Sequence, residues 1–260
     1  MTRRREMNLA NKWIFGTLIG ITTTVLPISS KALVPYVYEP NNDSLKKTSF
    51  NIGATAARLL ELGQAKEAAR LGALAVRLQP SDERLWSILA EAQLRSNQFE
   101  AASKSLAKAK QLNPKKASIW FAEGSLALQQ KKPEEAEKLL VEGINLNPEN
   151  AGAHFQLGNA RIMQVKFRLA LEAFKQAYKL KPNFWESLNN QGIVLFELGE
   201  KTKAIKTWRA VLKIKENAEP QLALAAALNE VNPGSAEALK LAALSLAKNP
   251  NYVLAQHQKE

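Results

Sequence analysis

From Ser49 onward the chain repeats one pattern of large apolar, small and polar positions every 34 residues. Proline recurs with that spacing at the ends of four successive units, and once more two periods later. With proline at position 32, position 20 is alanine in all six units and position 8 is always glycine or alanine. A period of 34 residues is typical of helix-turn-helix repeats, so the pattern predicts an all-α fold of about six helix pairs. The units begin at Ser49, Glu83, Ala117, Ala151, Trp185 and Glu219.

The recurring side chains suit two antiparallel helices that pack closely. Small residues at positions 8 and 20 let the two backbones cross, and proline at position 32 ends the second helix. In the fifth unit position 32 is Glu216, and we expect the break to shift to Pro220. His154 stands where other units carry a bulky side chain, and it is predicted to pack rather than to bind a metal. The bulky side chains between helices are Trp86, Trp120, Phe174 and Trp208.

A basic and then apolar segment precedes the repeats. Arginines at residues 3–5 and Lys12 stand before the apolar run 13–28, and the small residues Ser30 and Ala32 follow it. This order predicts either a signal peptide cleaved after Ala32 or a retained membrane anchor, with an ordinary buried helix as the remaining alternative. Either of the first two would put the repeats on the non-cytosolic side of a membrane, in a periplasm or lumen, because the basic end stays in the cytosol. Residues 33–48 are rich in turn formers and are predicted to be a flexible linker.

The composition removes several kinds of chemistry. Apolar residues make up 46% of the 260 residues, which is enough for a buried core, and the chain has no cysteine and two histidines. The missing cysteine rules out disulfides, zinc-thiolate sites and cysteine nucleophiles. The sequence contains no phosphate-binding glycine loop, zinc-protease motif or nucleophile elbow. We therefore predict that the protein is not an enzyme and uses no cofactor or metal.

The columns resemble the tetratricopeptide repeat, in which leucine at position 7 and alanine at position 27 accompany the residues above. Leu89 and Leu157 match the first of these, and Ala75, Ala109 and Ala177 match the second. The resemblance implies a right-handed superhelical solenoid over residues 49–252, whose concave groove binds peptide segments, followed by a cap or tail at 253–260. The groove residues that it implies are Arg84, Arg95, Phe121, Ser125, Phe155, Asn159, Met163, Asn190, Ile193 and Phe196.

The three groove rings have a second interpretation, in which they pack against neighbouring helices instead of facing a ligand. Family members that hold acidic chaperone tails carry cations at three groove positions, which here are Phe155, Pro220 and Leu224. The sequence therefore argues against a carboxylate clamp and against a cytosolic chaperone adaptor.

Basic residues exceed acidic residues by 12, and the excess remains 8 if residues 1–32, with five basic residues and one acidic residue, are removed. Lysines are concentrated on the second helices, which we expect on the convex side, where they are either a solvated face or a surface for an anionic membrane. No nucleic acid is expected as a partner, because the basic residues are not interleaved with stacking aromatics. These lysines are Lys104, Lys108, Lys138, Lys175, Lys179, Lys203, Lys206, Lys213 and Lys215.

The sequence thus predicts an interaction scaffold for protein partners that assists the assembly of a membrane or envelope complex. In plan it resembles exported or membrane-anchored repeat proteins of bacterial or cyanobacterial type. An envelope or secretion accessory and a regulatory subunit of an enzyme are the alternatives that remain open, as does self-association.

Overall fold

The computed structural model describes residues 41–253, which form twelve α-helices and one 3-10 turn. The predicted signal or anchor segment, linker residues 33–40 and tail residues 254–260 lie outside these described residues. None of the described helices is long and apolar enough to cross a membrane. The elements are α1 (Asn42–Glu61), α2 (Ala65–Leu78), α3 (Glu83–Arg95), α4 (Phe99–Leu112), α5 (Ala117–Gln129), α6 (Pro133–Leu146), α7 (Ala151–Met163), α8 (Phe167–Leu180), α9 (Trp185–Glu197), α10 (Lys201–Ile214), α11 (Ala218–Val231), α12 (Ala236–Lys248) and the 3-10 turn Pro250–Val253.

The helices form six consecutive antiparallel pairs, and each helix packs on its neighbours along the chain. First helices of successive units also touch one another, as α1 touches α3 and α5 touches α7. These contacts put the first helices on the inner, concave side of the stack and the second helices on the outer, convex side. The structure confirms the predicted all-α repeat solenoid of six units.

The small-residue columns lie where the helices of each pair cross. Position 20 is buried in all six units. At position 8, a side-chain carbon added to Gly158 would come within 2.4 Å of Phe174 Cε1, and one added to Gly192 within 2.6 Å of Trp208 Nε1. Real Cβ atoms essentially never approach that closely, so only glycine admits the aromatic ring of the second helix at these crossings.

The sixth unit begins one residue earlier than predicted. Between earlier units the turn has four residues, but only Lys215, Glu216 and Asn217 separate α10 from α11. Asn217 caps α11, since its Oδ1 accepts from the Ala218 N–H at 2.7 Å. The register shift buries Ala225 and leaves Ala226, the predicted crossing residue, exposed.

The expected break at Pro220 is wrong for the same reason. Pro220 lies in the first turn of α11 and is buried there, where its missing N–H leaves no helical hydrogen bond unmade. Without proline at position 32, the shorter turn ends α10, and Pro220 belongs to the next helix.

The predicted linker also ends too late. α1 begins at Asn42, and Asn41 caps it by accepting the Ser44 N–H at 2.7 Å. Asp43 adds a favourable negative charge in the first turn. Residues 42–48 are therefore helical, because the asparagines that indicated a turn instead supply a helix cap.

His154 packs as predicted and makes one hydrogen bond besides. Its Nε2 lies 2.9 Å from the Pro148 carbonyl. At the same position in the two preceding units, Trp86 Nε1 donates to Pro80 at 2.8 Å and Trp120 Nε1 donates to Pro114 at 2.9 Å. His154 therefore replaces a tryptophan as the ring that ties the first helix to the preceding turn.

Candidate functional site

The concave side holds a cavity of about 540 Å³ between α3 and α5. Four of the ten predicted groove residues line it, namely Arg84, Arg95, Phe121 and Ser125. The other lining residues are Ser87, Ile88, Glu91, Leu94, Leu106, Lys116, Ser118, Ile119, Ala122, Gln129 and Gln156. Its size suits a few side chains of a peptide.

The two predicted arginines are held in place by partners inside the protein. Arg84 Nη2 lies 2.7 Å from Asp82 Oδ2, and its guanidinium stacks 4.5 Å from the centre of the Phe50 ring. The hydrogen bond from Arg84 lowers the pKa of the Asp82 carboxyl. Arg95 donates to the Leu60 carbonyl at 3.1 Å and pairs with Glu91 at 2.6 Å.

Lys116, in the turn before α5, pairs with Glu83 at 2.9 Å. Each of the three cations at the cavity thus has a carboxylate neighbour. Because each cation has a carboxylate beside it, the rim of the cavity creates little positive potential. Its charged side chains instead hold the shape of the cavity and offer hydrogen-bond donors.

Gln156, on α7, lines the far end of the cavity. Its Oε1 is buried and accepts no hydrogen bond from the described residues. An unpaired buried acceptor costs about 1–3 kcal/mol. Less than 1 Å² of this oxygen is accessible, so a ligand in the cavity does not reach it while the side chain keeps this conformation. The hydroxyls of Ser87 and Ser125 border the same cavity, with Ile88 and Ala122 as apolar wall. This mixture can bind a peptide backbone and one or two aliphatic side chains.

The predicted line of aromatic rings packs largely on the second helices. Phe121 lies against Gly143 of α6, so closely that an added Cβ there would be 2.5 Å from Phe121 Cε1. The Phe155 ring centre is 5.6 Å from that of Phe174, and the Phe196 ring centre is 6.0 Å from that of Trp208. All three rings are half-buried, so each presents only part of its surface to the groove.

The six predicted residues on α7 and α9 lie outside the cavity. Asn190 Nδ2 donates to Asn159 Oδ1 at 3.1 Å, so the two amides join neighbouring units to each other. Ile193, like Phe155 and Phe196, packs on the core of units four to six. Met163 is 45% exposed at the end of α7.

Some lining residues were missed from the sequence. Ser87 and Ile88 occupy positions 5 and 6 of the second unit, so the position rule that identified Arg84 could have found them. Gln129 occupies position 13 of the third unit, as Arg95 does in the second, so the same rule could have found it. Lys116 lies outside the groove positions, and no pattern in the sequence indicates it.

The lysines predicted on the convex side are exposed on second helices, apart from the half-buried Lys108 and from Lys215, which follows α10. Within residues 41–253, no three His, Asp or Glu side chains are grouped so that they could hold a metal ion. The arrangement defines a helical-repeat protein with a cavity on its concave side.

Comparison with known proteins agrees with that class. The profile of the tetratricopeptide repeat matches residues 89–151 and 155–220. This chain belongs to the tetratricopeptide repeat family, whose members are generally non-catalytic scaffolds for protein–protein interactions. No curated protein sequence matches it significantly.

Three solved structures illustrate the shared fold. PilW, a widely conserved type IV pilus biogenesis factor, is 18% identical with a TM-score of 0.71 over 78% of this chain and 94% of its own. PilF of Pseudomonas aeruginosa is 21% identical with a TM-score of 0.62 over 78% and 99%. YrrB, a tetratricopeptide repeat protein with an unusual peptide-binding site, is 20% identical with a TM-score of 0.60 over 74% and 98%.

Proposed function

We propose that this scaffold holds a peptide segment of a partner protein in the cavity between α3 and α5. The observation that carries the proposal is the cavity itself, a concave site of about 540 Å³ with aliphatic walls and the hydroxyls of Ser87 and Ser125 beside them. An extended segment would bury aliphatic side chains against Ile88 and Ala122 while its backbone bonds to the hydroxyls of Ser87 and Ser125. The peptide-binding site named for YrrB is consistent with such a use of the fold.

The partner is proposed to be a subunit of a membrane or envelope complex that is being assembled on the non-cytosolic side of a membrane. The basic and apolar order of residues 1–32 supports this location. PilW, which has this fold, is a type IV pilus biogenesis factor, and this supports a role in assembly. An envelope or secretion accessory, or a regulatory subunit, would use the same cavity for a different client.

A cytosolic adaptor for acidic chaperone tails is disfavoured. Because the sixth unit starts at Ala218, its two positions that would need a cation are Glu219 and Ala223 instead of the expected Pro220 and Leu224, and neither is basic. The third is Phe155, whose ring packs on Phe174 and Phe184. None of these three side chains can bind a carboxylate.

Site-specific photo-crosslinking tests the cavity as the partner site. A benzophenone amino acid replaces Ser125, inside the cavity, in the full-length chain within its native cells. The matched control replaces Ser103, an exposed serine of α4 that borders the outer groove between α4 and α6. We expect one set of protein adducts at Ser125 that is missing at Ser103. Identical adducts at both positions, or none at Ser125, would contradict the proposal.

A reporter fusion tests the proposed location independently. Residues 1–32 are fused to an enzyme that is active only outside the cytosol, and a control fusion carries glutamate at Arg3, Arg4 and Arg5. We expect activity from the first fusion and a marked loss in the second, because the basic residues orient the segment. A reporter that stays in the cytosol with the native segment would refute the location and leave the cavity untouched.

A further inference from the structure

A second groove lies on the convex side, between α8 and α10. It encloses about 460 Å³, and α9 forms its floor. The floor is mainly aliphatic, with Leu195 and the amide Gln191 from α9, Leu198 just after that helix and Leu171 from α8, while cations border it from both helices. Arg168 and Lys175 come from α8, and Lys203 and Lys206 come from α10.

Most of these cations have no ion-pair partner among residues 41–253. Only Lys203 is paired, with Glu200 at 2.5 Å, while Arg168, Lys175 and Lys206 make no salt bridge there. The hydrogen bond from Lys203 lowers the pKa of Glu200, and the charges of Arg168 and Lys175 act in the same direction. Helix α10 as a whole contains five basic residues and no acidic residue.

The other units show that the repeat does not require this charge. The four cations occupy positions 18 and 25 of the fourth unit and positions 19 and 22 of the fifth. Between α4 and α6 the same positions are Glu100, Ala107, Glu135 and Lys138, with a net charge of −1. Between α6 and α8 these positions have a net charge of −2; they are Glu134, Val141, Leu169 and Glu172. Between α2 and α4 they have a net charge of +2; they are Lys66, Ala73, Ala101 and Lys104. Among the four grooves compared, only this one has a cation at all four positions, and Glu172 and Glu200 reduce the net charge of its lining residues to +2 (four basic minus two acidic).

We propose that the groove between α8 and α10 is a second docking site, which binds an acidic segment of a protein partner with aliphatic residues at its centre. The aliphatic residues would contact the floor, and acidic residues on either side would meet the cations of the two helices. This site is separate from the concave cavity and does not depend on the function proposed for it.

A protein segment fits the groove better than an anionic membrane does. The apolar floor is recessed between two helices, and a flat layer of headgroups does not reach into such a groove. Glu172 and Glu200 border the groove together with the cations. They repel a uniformly anionic surface, whereas the discrete charges of a peptide can avoid them.

Binding of a labelled peptide to the full-length chain tests the proposal. The probe is a fluorescein-labelled peptide with leucines at its centre and glutamates at both ends, and fluorescence anisotropy measures its affinity. Lys175→Gln with Lys206→Gln removes two cations of the groove. The matched control, Lys104→Gln with Lys138→Gln, removes two exposed lysines from other second helices and changes the net charge equally.

We expect the groove variant to bind the peptide about tenfold more weakly or worse, and the control variant to bind within about twofold of the native chain. Binding should also weaken as salt rises from about 50 to about 300 mM, because salt screens exposed charges. Equal losses in both variants would show general attraction to a basic protein and overturn the proposal. The absence of binding at low salt would also overturn it. A protein that binds phosphatidylserine vesicles through Lys175 and Lys206 but does not bind the peptide would overturn the proposal as well.

Discussion

Five of the six turns between paired helices pass through a residue with positive φ at position 15. Two of these residues are glycines, Gly63 and Gly199, both with φ of 75°. The other three are Asn97, Lys131 and Val165, with φ of 60°, 57° and 59°. A left-handed backbone costs a residue with a side chain about 1–2 kcal/mol, and a β-branched valine tolerates it worst.

Val165→Gly should therefore stabilise the protein. Val165 is 69% exposed, so the change loses little packing, and relief of the backbone strain should raise the free energy of unfolding by about 1 kcal/mol. The reverse change, Gly199→Val, should lower the free energy of unfolding by a similar amount, because it puts a side chain on a residue with positive φ. A Cβ at Gly199 meets no atom within 4 Å, so the backbone strain is the only cost. Urea unfolding of both variants checks this, and a less stable Val165→Gly protein would contradict it.

His154 allows a test of the hydrogen bond between a ring and the preceding turn. His154→Phe keeps a ring of similar size but removes the donor to Pro148, so it should lower the free energy of unfolding by about 0.5–1.5 kcal/mol. His154→Trp should restore that stability, because Trp86 and Trp120 make the same contact. Thermal unfolding in parallel compares the two variants. Equal stability of the phenylalanine and tryptophan variants would mean that the hydrogen bond contributes nothing.

At the scale of elements, a partly buried ion network joins the third and fourth units. Glu137 of α6 accepts from Arg161 Nε at 2.8 Å, from Lys166 Nζ at 2.8 Å and from Gln164 Nε2 at 3.0 Å. Burial alone would raise the pKa of Glu137. The hydrogen bonds from Lys166, Arg161 and Gln164 outweigh it and lower the pKa from 4.5 to about 2.

This lowered pKa predicts how stability depends on pH. Because folding favours the ionised carboxyl, its contribution is complete above about pH 5 and is lost as the pH falls through 4.5 toward 2. Glu137→Gln should cost about 1–2 kcal/mol at pH 7, after allowance for solvent screening, and the difference from the native chain should shrink below about pH 4. Glu142→Gln, on the exposed side of the same helix, is the control. Urea unfolding at several pH values provides the measurement, and a difference that does not vary with pH would contradict the network's role.

The sequence predicted the helix pairs well because the small-residue columns and prolines report directly on helix crossings and helix ends. The start of the sixth unit was missed because the turn before α11 is one residue shorter than the others. Ala238 of α12 still fits the column at position 20, so the pattern gave no sign of the shorter turn. Ala226 and Ala225 are identical side chains, and only the length of the turn before Ala218 decides which is buried. The cap at Asn41 was missed because asparagine is equally common in turns and at helix starts.

The site was predicted less well than the fold. Position rules found Arg84, Arg95 and Ser125, but they could not tell which way the rings of Phe121, Phe155 and Phe196 turn. Each ring rests on its own unit's second helix, opposite a glycine or another ring, and this depends on packing across the pair. Alanine at these three positions would therefore report on stability as well as on binding.

On the scale of the whole molecule, the solenoid offers two surfaces of different chemistry. The concave cavity has matched charges and serine hydroxyls, whereas the convex groove between α8 and α10 has more cations than carboxylates over a mainly aliphatic floor. The two sites lie on opposite sides of the stack and share only the fourth unit, which contributes Gln156 to the cavity and α8 to the groove. A repeat protein with this arrangement can hold two segments at once, because neither ligand would occupy the space of the other.

The affinity of the partner segment that crosslinks at Ser125 tests the central claim most directly. Ser125→Tyr fills part of the concave cavity in the full-length chain, and Ser103→Tyr adds the same ring on the convex side. We expect binding of the segment to weaken about tenfold or more with Ser125→Tyr and to stay unchanged with Ser103→Tyr, with equal helix content by circular dichroism. Native affinity with Ser125→Tyr, or an equal loss with Ser103→Tyr, would contradict a binding site between α3 and α5.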